Sequence, residues 1–135
     1  MTKTGFRAFR HDDSAPVPRS IVLHQQSGVL ELVYEDGKTY RLSGEFLRVY
    51  SPSAEVVGHG PGQEVLQVGK RGVTITRLSP VGQYAVQPHF SDGHDTGLYS
   101  WSYLYWLGEH ATALWQDYLD RLAAAGATRE RQDTP

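Results

Sequence analysis

The apolar residues change their spacing once along this chain, and that change limits the architectures open to it. Leu30, Leu32 and Tyr34 alternate with Glu31, Val33 and Glu35, and residues 73–78, V-T-I-T-R-L, are β-branched with a period of two. After Gly97 the period becomes helical. Leu98, Trp101, Leu104 and Tyr105, then Ala111, Leu114, Trp115, Tyr118, Leu119 and Leu122, recur at steps of three and four. Strands followed by helices, without alternation, predict an α+β fold: an antiparallel β-sheet of short strands and hairpins with C-terminal helices packed on one face.

Local signals divide the chain further. Ser20–His24 is a short β-prone run, and Asp36-Gly37 supplies the positive φ angles of a hairpin turn before a returning strand at 39–42. Ser43 is a helix cap for a single turn at 43–48 that places Phe46 and Leu47 inward. Residues 64–68 form a strand candidate, Lys70-Arg71-Gly72 a turn, and Ser79-Pro80-Val81-Gly82 a bend. Residues 84–90 pair beside the 73–78 strand; Pro88 cannot donate a ladder bond, so this strand is an edge or ends there. Gly108 is the expected break between a helix near 99–107 and a longer one near 109–125. A chain of 135 residues suits one domain, expected over 20–126. Residues 1–19, ending in A-P-V-P-R, read as a flexible lead-in, and 127–135 as a flexible tail.

Composition excludes several classes of function. A net charge of -2, with both signs dispersed, provides no field for nucleic acid. The absence of cysteine removes disulfides and thiolate metal sites. No apolar run is long enough for a signal peptide or a bilayer span, so the expected location is cytoplasmic, with no membrane partner.

The polar residues gather in two loops. Residues 47–62, L-R-V-Y-S-P-S-A-E-V-V-G-H-G-P-G, hold Ser51, Ser53, Glu55 and His59, the residue types of a hydrolase, but without a nucleophile elbow or an evident oxyanion site. Gly58, Gly60 and Gly62 match a phosphate-cradling loop only loosely, since no Gly-Lys-Ser/Thr follows. The second loop, H-F-S-D-G-H-D, brings His89, Asp92, His94 and Asp95 together as candidate metal ligands, against the ordinary reading of aspartates bonding their own turn. His11-Asp12-Asp13 offers the His-x-Asp step of an iron triad, but in the lead-in. Among the aromatics, Trp101 and Tyr105 are expected to pack on the sheet, leaving Tyr103 and Trp106 as a candidate partner surface.

The ordered motifs L-R-x-x-S-P-S-A-E-V, G-H-G, L-S-P-V-G-x-Y-A and D-G-H-D-T-G-L-Y-S-W-x-Y-L resemble the gamma-butyrobetaine hydroxylase-like N-terminal domain family in its short, free-standing bacterial form. In the eukaryotic hydroxylases, the resemblance implies, this domain precedes an iron oxygenase barrel and holds a structural zinc through three cysteines and a histidine. Similar domains are appended to P-loop iron–sulfur carriers. Carried over by position, the cysteines fall on Ser51, Ser53 and Val56, and the histidine on His94. Serine is a poor replacement for thiolate and valine offers no ligand, so no structural zinc and no resident cofactor are expected. Glu55 and His59 remain as partners for His94.

No complete catalytic constellation emerges. The expected function is a non-enzymatic binding or accessory module with a protein partner, linked to iron–sulfur or iron-enzyme maturation. The alternative is a small iron-binding protein or metal-dependent enzyme that holds labile iron through His94, His59, Asp92 and Glu55. Oligomeric state is not set by the sequence.

Overall fold

A computed structural model describes residues 8–58 and 63–131. His59, with the rest of the Gly-His-Gly motif from that position onward, lies outside the described residues. Three strands form the first sheet: β1 (Ser20–His24), β2 (Val29–Val33) and β3 (Thr39–Ser43), antiparallel in that order. The register sets Leu23 opposite Leu30, Ile21 opposite Leu32 and Leu30 opposite Leu42, so one face is apolar throughout. The β2–β3 turn is closed by Tyr34 N–H on the Lys38 carbonyl (2.9 Å), and Gly37 adopts a φ of 88° that other residues rarely accept.

Chain direction changes at Ser43, whose Oγ accepts the Phe46 N–H at 3.0 Å and starts α1 (Gly44–Val49). Every residue of α1 is buried. Ser53 caps a second short helix, α2 (Ala54–Val57), by accepting the Glu55 N–H at 3.2 Å. Residues 64–68, expected as a strand, belong to none. They are tied instead by separate bonds to separate segments, Val65 N–H to the Val56 carbonyl (2.8 Å) and Tyr118 Oη to the Gln67 carbonyl (2.6 Å), so no ladder runs along them, and Val65 and Val68 are exposed.

The second sheet has the order β4 (Ile75–Val81), β5 (Ala85–Phe90), β6 (Tyr99–Ser100), all antiparallel. The expected bend at 79–82 falls later, because Ser79, Pro80 and Val81 stay paired with Gln87, Val86 and Ala85 and the turn begins at Gly82. Pro88 does not end its strand. β5 is the middle strand, but β6 covers only Ala85 and Val86, so Pro88 lies on a stretch paired with β4 alone.

Two helices follow: α3 (Trp101–Glu109), capped by Ser100 Oγ on the Tyr103 N–H at 3.2 Å, and α4 (Ala111–Ala124). The break between them is at His110. Gly108 lies inside α3, where a Cβ would meet the Tyr40 ring closer than real Cβ atoms come. α3 packs against both β3 and β6 and so joins the two sheets. A single core results, with Leu30, Leu32 and Leu42 from the first sheet, Val86 and Phe90 from the second, and Leu104, Leu107, Leu114 and Tyr118 from the helices.

The described parts of the two end segments, 8–19 and 127–131, make contacts. Phe9 sits edge-on to Tyr103 with ring centroids 4.9 Å apart. At the other end, the carbonyls of Thr128 and Arg129 accept the amides of Gly69 and Arg71, each at 3.0 Å. Arg129 grips the buried Glu45 through two bonds of 2.7 Å and stacks over Trp115.

Candidate functional site

The loop after α1 turns back under the loop after β5. Two buried tyrosines hold its entrance: Tyr99 Oη donates to the Leu47 carbonyl, and Tyr103 Oη to the Tyr50 carbonyl at 2.6 Å. Tyr103 is thus a core residue, not the partner surface expected of it; its hydroxyl is satisfied internally and its ring is covered by Phe9. Trp106 is half-buried beside it, and Trp101 is half-buried with its indole N–H on the Gln83 carbonyl.

Within the loop, Ser51 Oγ and His94 Nε2 are 2.8 Å apart, and His94 Nδ1 lies 3.3 Å from Glu55 Oε2. Ser53 Oγ pairs with Thr96 Oγ1 at 2.7 Å, and Val56 is buried. Of the four positions carried over from the zinc pattern, Ser51 and His94 are therefore in direct contact, with the Ser53 amide donating to Ser51 Oγ at 3.3 Å and Glu55 at the other ring nitrogen. His59 cannot be placed among them. Asp92, expected as a ligand, turns elsewhere: its Oδ2 accepts from Arg48 Nε and Lys70 Nζ, each at 2.8 Å, and its Oδ1 caps the His94 amide at 3.1 Å. His89 joins a separate group, with Nε2 2.9 Å from Ser79 Oγ.

The electrostatics follow from these contacts. Burial would raise the Asp92 pKa, but the Lys70 ammonium, the His94 amide and the Arg48 guanidinium outweigh it and hold the carboxyl at about 2. His94 shifts below its ordinary value, first because it is buried and then because Arg48 is near; Glu55 and Asp92 oppose this without prevailing. A neutral imidazole with Glu55 at Nδ1 carries its proton there, so Nε2 accepts the Ser51 hydroxyl proton.

Glutamate, imidazole and serine thus stand in the order of a hydrolase triad, yet Ser51 is 0% exposed. Gly97 closes over it, at a distance where a Cβ would lie 2.5 Å from Oγ. No electrophile reaches this hydroxyl. A zinc ion does not fit the residues either: both nitrogens of His94 are engaged, Val56 has no donor, and Arg48 brings positive charge close enough to disfavour a cation on the ring. Among the described residues, no three His, Cys, Asp or Glu side chains are grouped to hold a metal. Arg48 is the residue that sequence reasoning missed, since nothing in linear spacing pairs it with Asp92, and its buried Nη1 has no partner among the described residues.

The chain matches the family described as gamma-butyrobetaine hydroxylase-like, N-terminal, over residues 21–105. This chain belongs to that family. Two solution structures determined by NMR are similar to it throughout: one is 47% identical with a TM-score of 0.78, covering 90% of this chain and 95% of the other. The second is 45% identical with a TM-score of 0.76, over 95% and 96% of the two chains. A crystal structure of a protein of unknown function from Acidithiobacillus ferrooxidans, of the DUF971 family, is 43% identical with a TM-score of 0.55 over 67% of this chain and 91% of that one. No curated protein matches. In this member of the gamma-butyrobetaine hydroxylase-like family, Ser51 and His94 bond each other and Val56 is buried with no polar side-chain group to offer. Among the described residues no helix is long and apolar enough to cross a membrane.

Proposed function

We propose that the protein is a non-enzymatic binding module that serves a protein partner in the maturation of iron–sulfur or iron-dependent enzymes. The observation that carries this reading is the closed state of the Ser51–His94–Glu55 unit, whose hydroxyl and imidazole are buried and bonded to each other. Groups so engaged stabilise a loop and present no reagent to a substrate. The iron branch rests on the proteins that carry this domain elsewhere in its family. Two exposed apolar side chains flank the β5–β6 pairing and are the contacts offered: Tyr84, 61% exposed, at one end, where its carbonyl accepts the Trp101 amide, and Leu98, 47% exposed, at the other.

A gene deletion in the source organism, read by the cluster content of its iron–sulfur enzymes, tests this. Wild-type protein and folded Ser51→Ala should both restore loading, whereas Tyr84→Ser with Leu98→Ser should not. Unchanged loading in the deletion strain removes the iron branch. Failure of folded Ser51→Ala to complement removes the non-enzymatic reading.

A further inference from the structure

A concavity of about 360 Å³ lies between the Lys70-Arg71-Gly72 turn, the Ser91-Asp92 loop after β5 and Arg131, next to the serine–histidine unit, to which Asp92 connects it through the His94 amide. We propose that this cleft binds a phosphate group carried by a small molecule. The turn that builds it is rigid. Val73 N–H bonds the Lys70 carbonyl at 3.0 Å, Gly72 takes a φ of 91°, and the amides of Gly69 and Arg71 are fastened to the 128–129 segment. A site fixed in this way does not have to order its donors when a ligand arrives.

Each donor retains capacity after its internal bonds are counted. Lys70 Nζ gives one of three protons to Asp92, and Arg71 gives Nη1 to Glu130, leaving its other guanidinium protons. Ser91 Oγ accepts the Thr74 amide at 3.0 Å, so its own proton is directed elsewhere. Among the described residues Asp92 is the one carboxylate in the lining, and it is compensated twice, by Lys70 from the cleft side and by buried Arg48. Lys70, Arg71 and Arg48 together therefore outweigh Asp92 and Glu130, and the cleft attracts anions.

Its lining also restricts the ligand. No aromatic side chain lines it among the described residues, so nothing stacks on a nucleobase. Forked guanidinium and ammonium donors beside a hydroxyl can be met together by the three terminal oxygens of a phosphate or pyrophosphate, where a single carboxylate offers two. The volume admits a phosphate with a small organic remainder, not an extended polymer.

NMR titration of the full chain with inorganic pyrophosphate, and in parallel with inorganic phosphate and citrate, tests the assignment. Saturable shifts should concentrate on the amides of Gly69, Gly72 and Ser91, with citrate binding more weakly. Lys70→Gln with Arg71→Gln should weaken pyrophosphate binding by about tenfold or more, while Arg41→Gln on the first sheet leaves it unchanged. If the double variant fails to fold, Arg71→Gln alone, at an exposed side chain, serves in its place. Absence of saturation at millimolar pyrophosphate, shifts spread evenly over all basic residues, or equal binding of citrate would each overturn the proposal.

Discussion

His94 is kept neutral by burial and by Arg48, and a histidine held this way makes stability depend on acid. In the unfolded chain the ring protonates near its ordinary value of about 6.5. The folded ring takes up its proton only at lower pH, so between these values the unfolded state binds more protons and stability falls as pH falls. Urea melts between neutral pH and about pH 5 should show this loss in the wild type. A His94→Gln variant, although less stable at neutral pH, should have a flatter profile across that window; parallel profiles would show that the ring is not the group responsible. Asp92 acts in a separate, lower window, with stability lost as pH falls from its ordinary value towards about 2. The place of His94 was legible only through resemblance, since Ser51 and His94 stand 43 positions apart and no spacing rule joins them. Glu55, expected as a partner of His94, does stand beside its Nδ1, placed there by the four-residue α2 that Ser53 caps.

The strands were readable one at a time because alternation is a local signal: β1, β2 and β3, with the Asp36-Gly37 turn, stand where period and turn chemistry put them. Division into two sheets was not readable, because it depends on α3 packing against both. The helical face differs in phase from the spacing of apolar residues. That spacing includes Leu98, but Leu98 is exposed and precedes β6, so α3 begins only at Trp101 and buries Tyr103, Leu104 and Leu107. Glycine is a poor helix former and so suggests a break at Gly108, whereas the structure needs it for the approach of Tyr40. Gly108→Ala should therefore destabilise the protein by about 1–3 kcal/mol through overpacking, even though alanine favours the helix by about 1 kcal/mol. Denaturant midpoints decide it. A stabilised variant would mean that the Tyr40 ring moves aside without cost.

Across the whole molecule, the ends of the chain close the domain. Arg129 neutralises Glu45 in the buried α1, and the 128–129 carbonyls hold the 69–71 turn, so the C-terminal segment ties three distant stretches together. Truncation after Gly126 should lower stability by about 1–3 kcal/mol, because Glu45 loses a charged partner that is itself a third exposed. It should also speed hydrogen exchange at the Gly69 and Arg71 amides. Exchange unchanged at both would show that the turn holds without the tail. Four further long-range ties are phenolic. Tyr50, Tyr99, Tyr103 and Tyr118 each donate a hydroxyl proton to a backbone carbonyl in another segment: those of Leu114, Leu47, Tyr50 and Gln67. Burial pushes the Tyr118 hydroxyl up to about 12, and raises the other three as well. Above pH 10 the fold holds these four protons where an unfolded chain gives them up near pH 10. The phenolate absorbance of these four rings thus becomes a gauge of the protein's integrity: it rises as the architecture fails, more steeply than independent tyrosines would titrate.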